Sequence, residues 1–134
     1  MRAALSTRQS ANPLLITAYS YHISSPFVRD PANAQGLNYE LIRLLQEHEP
    51  ALRISLLLLP RLRLDRLLES NDFAGMVLLV DPSWFSDTKM DRHVWTDTLI
   101  HDANIVVSRM DKPIDFRTAS SLSSRVIGGV RGYR

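Results

Sequence analysis

Hydrophobic residues along the chain fall into short runs separated by polar segments, as they do in a protein built from buried strands. Three runs, at residues 14–18, 53–59 and 74–80, predict strands. The middle run is apolar at successive positions, which is typical of a parallel strand covered on both faces. We therefore expect a parallel sheet with helices on each side of it.

Helical spacing of apolar residues predicts two helices between these strands. The first, over residues 38–48, is expected to begin at Asn38, whose side-chain oxygen can accept from the free amides of the first turn, and to end before Pro50. A second helix is predicted over 62–69 and is closed by a polar turn at 70–72. The buried side of the first helix is expected to consist of Leu37, Leu41, Leu44 and Leu45.

Two further strands are predicted at 103–109 and 125–130, with a serine-rich turn or short helix at 118–124 before the second. Because strands alternate with helices at this spacing, the sequence favours an α/β fold with a mainly parallel sheet flanked by helices. The predicted core comprises Leu15, Ile16, Leu41, Leu44, Leu45, Ile54, Leu56, Leu58, Leu67, Val77, Leu79, Val106 and Val107.

The composition is that of a globular domain, with 134 residues of which 45% are hydrophobic and 22% are charged. The net charge of +2 is too small to indicate nucleic-acid binding, and its one dense basic group, at 61–66, is expected on a solvated helix face. The absence of cysteine excludes disulfides and thiolate chemistry. No apolar run is long enough for membrane insertion, and residues 1–13 lack the apolar stretch of a signal peptide.

Aromatic residues in two predicted loops are the candidate ligand contacts. Tyr21 and Phe27 follow the first strand, and Trp84 and Phe85 follow the third. Clefts of open α/β sheets lie beyond the carboxyl ends of parallel strands, so these rings could stack on a planar or apolar part of a ligand. Packing of the loops onto the core is the alternative for all four. Arg131, after the last predicted strand, is either an anion contact near a helix N-terminus or a solvated arginine.

Signatures of catalysis and of metal binding are missing from the sequence. The four histidines are not spaced as a helical metal pair would need, and the aspartates at 81–91 lack the glycine and terminal glutamate of a calcium loop. There is no G-x-S-x-G elbow of a hydrolase, and the glycines at 128–132 lack the spacing of a dinucleotide site. We therefore expect a protein that is not an enzyme and needs neither cofactor nor metal.

Five segments match, in order, the motifs of one protein family. A loop of the Y-P-P-F kind is matched by residues 21–27, which read YHISSPF, and a G-F-D-x-[DE]-L helix start by 36–41, which read GLNYEL. An F-S-x-P-Y element is matched by WTDTL at 95–99, and a K-D-x-P-I stretch by MDKPI at 110–114. An S-L-x-G-x-x-V-G-V-x-x-G segment is matched by residues 121–132. The shared order covers almost the whole chain.

In this order the chain resembles the N-terminal half of type II periplasmic binding proteins, in particular the class that binds polar amino acids. Residues 1–12 are polar and aperiodic, which predicts a flexible leader. The resemblance implies lobe I of a solute-binding domain at 13–109, and the crossover with the first strand of a truncated lobe II at 110–134. One departure concerns the ligand: residues 81–87 stand where the family has Thr-x-x-Arg, whose arginine clamps an α-carboxylate.

The function implied by the resemblance is that of an extracytoplasmic solute-binding protein of the ABC-transporter type. Its expected partners are a small polar solute, amino-acid-like or other, and the transporter permease in the full-length parent, and its expected compartment is the periplasm. Three alternatives keep an α/β fold. They are a sensory input domain of a membrane signalling protein, an accessory lobe of a cell-wall lytic enzyme, and an independent small α/β protein of another role.

Overall fold

A computed structural model describes residues 12–70, 72–103 and 105–128. The chain divides into two units, the first ending at Val80 and the second beginning at Asp81. The predicted leader falls outside the described residues except for Asn12, and so do the last residues of the predicted strand at 125–130. None of the described helices is long and apolar enough to cross a membrane.

The first unit alternates strands with helices. Its described elements are β1 (Leu14–Ser20), α1 (Leu37–His48), β2 (Leu52–Leu58), α2 (Arg61–Glu69) and β3 (Met76–Val77). The three strands form a parallel sheet in the order β2-β1-β3. The prediction of a small α/β domain with a parallel sheet is therefore confirmed. The bounds of β1, α1, β2 and α2 lie close to those expected from the sequence.

The core of the first unit lies between α1 and one face of this sheet. Ala18 of β1, Ile42 of α1 and Leu78 after β3 are its buried centre. Register places Ala18 beside both Leu56 and Met76, so one row of side chains crosses all three strands. Partly buried residues packed against this centre are Leu41, Ile54, Leu56, Met76 and Leu79.

The other face of β2 differs from the prediction. Exposed and partly buried residues alternate along this strand, and Arg53, Ser55 and Leu57 are exposed. Leu15, opposite Arg53 in β1, is also exposed and is not a core residue. The expectation of a strand covered on both faces was wrong because an unbroken leucine run carries no period. Such a run does not distinguish one buried face from two.

The buried face of α1 is rotated from the predicted one. Asn38 and Ile42 are its buried residues, whereas Leu44 is 47% exposed. Gly36 is the N-cap, so the expected cap Asn38 is instead the second residue of the helix. A side chain at Gly36 would place its Cβ 2.5 Å from the Phe27 carbonyl oxygen, and its φ of +128° favours glycine.

The second unit contains two short 3-10 helices, Pro82–Phe85 and Ala119–Leu122. The described part of the predicted strand at 103–109 forms no strand, and neither do residues 125–128. Val106 and Val107, predicted in the core, are exposed. Those predictions were wrong because an apolar β-branched run becomes a strand only when a neighbouring strand accepts its hydrogen bonds.

Candidate ligand-binding site

The strand order reverses beside β1. From β1 the chain passes through α1 to β2 on one side, and from β2 through α2 to β3 on the other side of β1. In open parallel sheets, ligands bind beyond the carboxyl ends of the strands at such a reversal. The residues at this position are 20–23, which are the last residue of β1 and the loop after it, and 78–80, which follow β3.

His22 connects the ends of these two strands. Its Nε2 lies 3.1 Å from the carbonyl oxygen of Leu79, and Nε2 is the donor because a carbonyl oxygen only accepts. The His22 ring lies 4.5 Å from the Phe27 ring, stacked on it, and 4.3 Å from the ring of Tyr21. One imidazole therefore holds β1, β3 and the following loop together.

The surroundings of His22 favour the neutral form of its imidazole at neutral pH. Burial lowers its pKa below the ordinary value of 6.5, and the charge of Arg61 lowers it further. The hydrogen bond to the Leu79 carbonyl acts in the opposite direction but does not outweigh them. With Nε2 carrying the proton, Nδ1 is an acceptor in this tautomer.

Leu79 reaches His22 through an unusual backbone conformation. Its φ is +54°, in the left-handed region that a residue other than glycine seldom adopts. Such conformations concentrate at functional sites, where the surrounding contacts hold them. β3 ends at Val77, two residues before this turn, rather than at the predicted residue 80.

Arg61 and Tyr21 form a second part of the cluster. The Arg61 side chain is only 5% exposed, and its Nε donates to Asp65 Oδ1 at 2.7 Å. Its Nη1 lies 3.5 Å from the Tyr21 hydroxyl, and its guanidinium carbon lies 5.1 Å from the Tyr21 ring centroid. The expectation of a solvated arginine was therefore wrong at Arg61, although Arg63 and Arg66 are exposed.

Asn38 places a carboxamide against the end of β1. Its side chain is fully buried, and Nδ2 donates to Ser20 Oγ at 3.2 Å and to the His22 carbonyl oxygen at 3.3 Å. Among the described residues, Asn38 Oδ1 is buried and has no hydrogen-bond partner. A hollow of about 170 Å³ adjoins this first turn of α1, lined by Ser25, Pro26, Arg29, Gly36, Leu37 and Glu40.

A buried carboxylate organises the loop of the second unit. Asp87 is 1% exposed, and its oxygens accept from Asp91 N, Arg92 N, His93 N and Trp95 Nε1 at 2.8–3.2 Å. Burial alone would raise the pKa of Asp87, but these four donors outweigh it and hold the pKa below 3.8. Phe85 lies 6.5 Å from the Trp95 ring.

The predicted contact residues are thus divided between the two units. The structure brings Tyr21 and Phe27 together around His22 in the first unit. Trp84 and Phe85 lie in the 3-10 helix of the second unit, both partly buried. Arg131 lies outside the described residues. Tyr21 is 5% exposed, so its ring is packed in this conformation, and its contact with a ligand stays a prediction.

Three residues of the cluster were not anticipated from the sequence: His22, Asn38 and Arg61. Weak signals were present, because His22 lies inside the aromatic loop motif and Asn38 inside the helix-start motif. Arg61 stands four residues before Asp65, the spacing of a helical ion pair.

The cluster is suited to binding by hydrogen bonds and stacking, since it combines aromatic rings, a neutral imidazole and a carboxamide. No group of three histidine or acidic residues in the described part of the chain is arranged to hold a metal ion. The chain matches no protein-family model, no curated protein and no solved structure with which it was compared.

Proposed function

We propose that the chain is one lobe of an extracytoplasmic solute-binding protein, which captures a small polar solute for an ABC-type permease. The proposal extends the resemblance found in the sequence. The aromatic loop motif at 21–27 directly follows β1, and the motif at 36–41 begins α1, as expected for a first lobe. The order β1-α1-β2-α2-β3 is also the one expected.

The observation that carries the proposal is the buried polar cluster at the reversal of strand order. Burying polar groups is unfavourable unless they find partners. Ser20, Asn38 and Arg61 are buried at the carboxyl end of β1 or at the start of α1 and α2, where they form hydrogen bonds to one another or to Asp65. Ligand sites of α/β sheets occupy this position. Groups buried there are consequently placed to fix the orientation of a bound solute.

The chemistry of the cluster favours binding over conversion. A neutral His22 and a carboxamide can exchange hydrogen bonds with a polar solute, and the partly buried ring of Phe27 offers an apolar surface. Arg61, although paired with Asp65, lowers the pKa of His22 and so adds a positive charge near it. A solute that is uncharged or anionic and carries a planar group fits this combination best.

A thermal-unfolding screen of the whole chain tests the proposal. The solutes are the common amino acids, their amides and the nucleobases at millimolar concentrations. We expect at least one of them to stabilise the chain, because a ligand at about ten times its Kd raises the free energy of unfolding by about 1.4 kcal/mol. The same solute should lose this effect with His22→Ala.

His48→Ala is the matched control, since His48 is an exposed histidine at the end of α1. It should keep the stabilisation seen with the unchanged chain. The proposal is overturned if no solute stabilises the chain, or if the stabilisation is equal in His22→Ala and His48→Ala.

A further inference from the structure

Within the described part of the chain, only the nitrogen of the Asn38 carboxamide makes hydrogen bonds. Nδ2 donates to both Ser20 Oγ and the His22 carbonyl oxygen, whereas Oδ1, within the described part of the chain, is buried without a donor. Native proteins pair almost all buried polar atoms, so an unpaired acceptor at this position calls for a donor. The position coincides with the strand reversal at which a ligand is expected.

The orientation of this carboxamide is determined by its neighbours. The His22 carbonyl oxygen can only accept a hydrogen bond, so the nitrogen of Asn38 has to face it. Exchanging the two ends would set Oδ1 against that carbonyl oxygen, which is repulsive. Oδ1 is therefore the atom that remains for another molecule.

The surroundings restrict what that donor can be. The Arg61 guanidinium is buried beside Tyr21, and its charge reaches His22. Arg61 is paired with Asp65, but a cationic donor such as an ammonium group would still meet its charge and would lose its hydration. An uncharged N–H carries neither penalty, and a planar group that bears it can lie against the half-buried ring of Phe27.

We propose that Asn38 Oδ1 accepts a hydrogen bond from an uncharged N–H of the bound solute, such as that of a carboxamide or a heteroaromatic ring. This inference rests on the proposed solute-binding function and names the class of solute. The hollow at the same turn of α1 is lined by Pro26, Gly36 and Leu37 and not by Asn38. Because Oδ1 is buried, a solute reaches it only by displacing the side chains that cover it.

The test compares three probes of similar shape by NMR titration of the ¹⁵N-labelled whole chain. Benzamide carries an uncharged N–H donor, N,N-dimethylbenzamide lacks it, and benzylamine replaces it with an ammonium group. We expect benzamide to shift the signals of the Asn38 side-chain amide and of the backbone amides of Ser20 and His22. The other two probes should bind there at least about tenfold more weakly, since the acceptor is left unpaired or the charge is repelled.

Equal binding of benzamide and N,N-dimethylbenzamide at these residues would overturn the inference and leave the proposed function standing. So would a solute of the unfolding screen that binds there without an uncharged N–H. Failure of every solute and probe to shift these signals would overturn both proposals. Because the comparison changes the probe and not the protein, it does not depend on a variant that folds.

Asn38→Leu gives a second comparison, with Asn33→Leu as a control in the exposed loop before α1. Benzamide affinity should fall about tenfold or more in Asn38→Leu and stay unchanged in Asn33→Leu. If a folded Asn38→Leu variant, with an unaltered spectrum for β1 and β2, binds benzamide as before, the inference is wrong.

Discussion

The two units of the chain are ordered by different interactions. In the first, parallel strands share a continuous backbone ladder, and α1 packs an apolar row against them. In the second, one carboxylate, Asp87, gathers backbone and indole N–H groups of residues 91–95. A ladder spreads stability over many residues, whereas a single carboxylate concentrates it in one. Substitutions should therefore act differently in the two units.

The largest contrast is expected in backbone hydrogen exchange. Amides in the β1–β2 ladder should exchange about a hundredfold or more slowly than those of Val106, Val107 and Val126, because only the ladder residues lie in described strands. The measurement is native-state exchange followed by NMR on a chain shown to be monomeric. Strong protection of Val106 or Val126 in that monomer would mean that the second unit has a strand of its own.

A matched pair of substitutions on α1 tests the packing of the first unit. Ile42→Ala should lower the free energy of unfolding by about 2–5 kcal/mol, because Ile42 is buried in the core. Leu44→Ala should change it by less than about 1 kcal/mol, since Leu44 is 47% exposed. Chemical denaturation measures both. A larger loss of unfolding free energy for Leu44→Ala than for Ile42→Ala would show that the helix face predicted from the sequence is the buried one.

That pair also shows what the sequence could and could not predict. Apolar runs punctuated by Pro13, Pro50 and Pro60 placed the first two strands and both helices almost correctly, because periodicity and proline act locally. The prediction that Leu44 is buried was wrong, and Ile42, which faces nearly the opposite side of the helix, is buried instead. Which side is buried depends on the sheet against which the helix packs, and that contact is not local.

The candidate site was less predictable for the same reason. The loop with Tyr21 and Phe27 was identified, but the cluster that forms around His22 also needs Leu79 and Arg61, which are more than thirty residues away in sequence. Likewise, an isolated aspartate gives no sign that it will accept from several N–H groups. The role of Asp87 became visible only with the loop geometry.

The negative charge of Asp87 in the second unit can be removed with little change in side-chain shape by substitution with asparagine. Asp87→Asn should speed the exchange of the Trp95 indole N–H about tenfold, because the charged acceptor of that bond becomes a neutral amide. Exchange in β1 and β2 should not change. Asp91→Asn, at an exposed position in the same loop, is the control. A change of β1 exchange in Asp87→Asn, in either direction, would contradict the independence of the two units.

The two units should also respond to acid in different ranges. The folded state holds the pKa of His22 below 6.5, so the unfolded chain binds this proton first. The contribution of His22 to the free energy of unfolding is complete above about pH 6.5. It declines as the pH falls towards the lower pKa that His22 has in the folded state. The contribution of Asp87 to the free energy of unfolding persists down to about pH 3.8 and is lost below that pH.

The pH effect is the smallest of the expected changes, since His22 is partly exposed. It is measured as the difference in unfolding free energy between the unchanged chain and His22→Gln from neutral pH downwards. The difference should shrink as the pH falls through the range just below 6.5. A difference that stays constant over this range would show that His22 titrates alike in the folded and unfolded states.

The central claim is that a solute binds where β1 and β3 end. The most direct test is to map the NMR shifts of the whole chain on adding the most stabilising solute of the unfolding screen. We predict that the largest shifts fall on Ser20, His22, Asn38 and Leu79, which are joined by hydrogen bonds at that position. Largest shifts on Trp84, Phe85 and Trp95, or on the exposed face at Leu15 and Arg53, would contradict the claim.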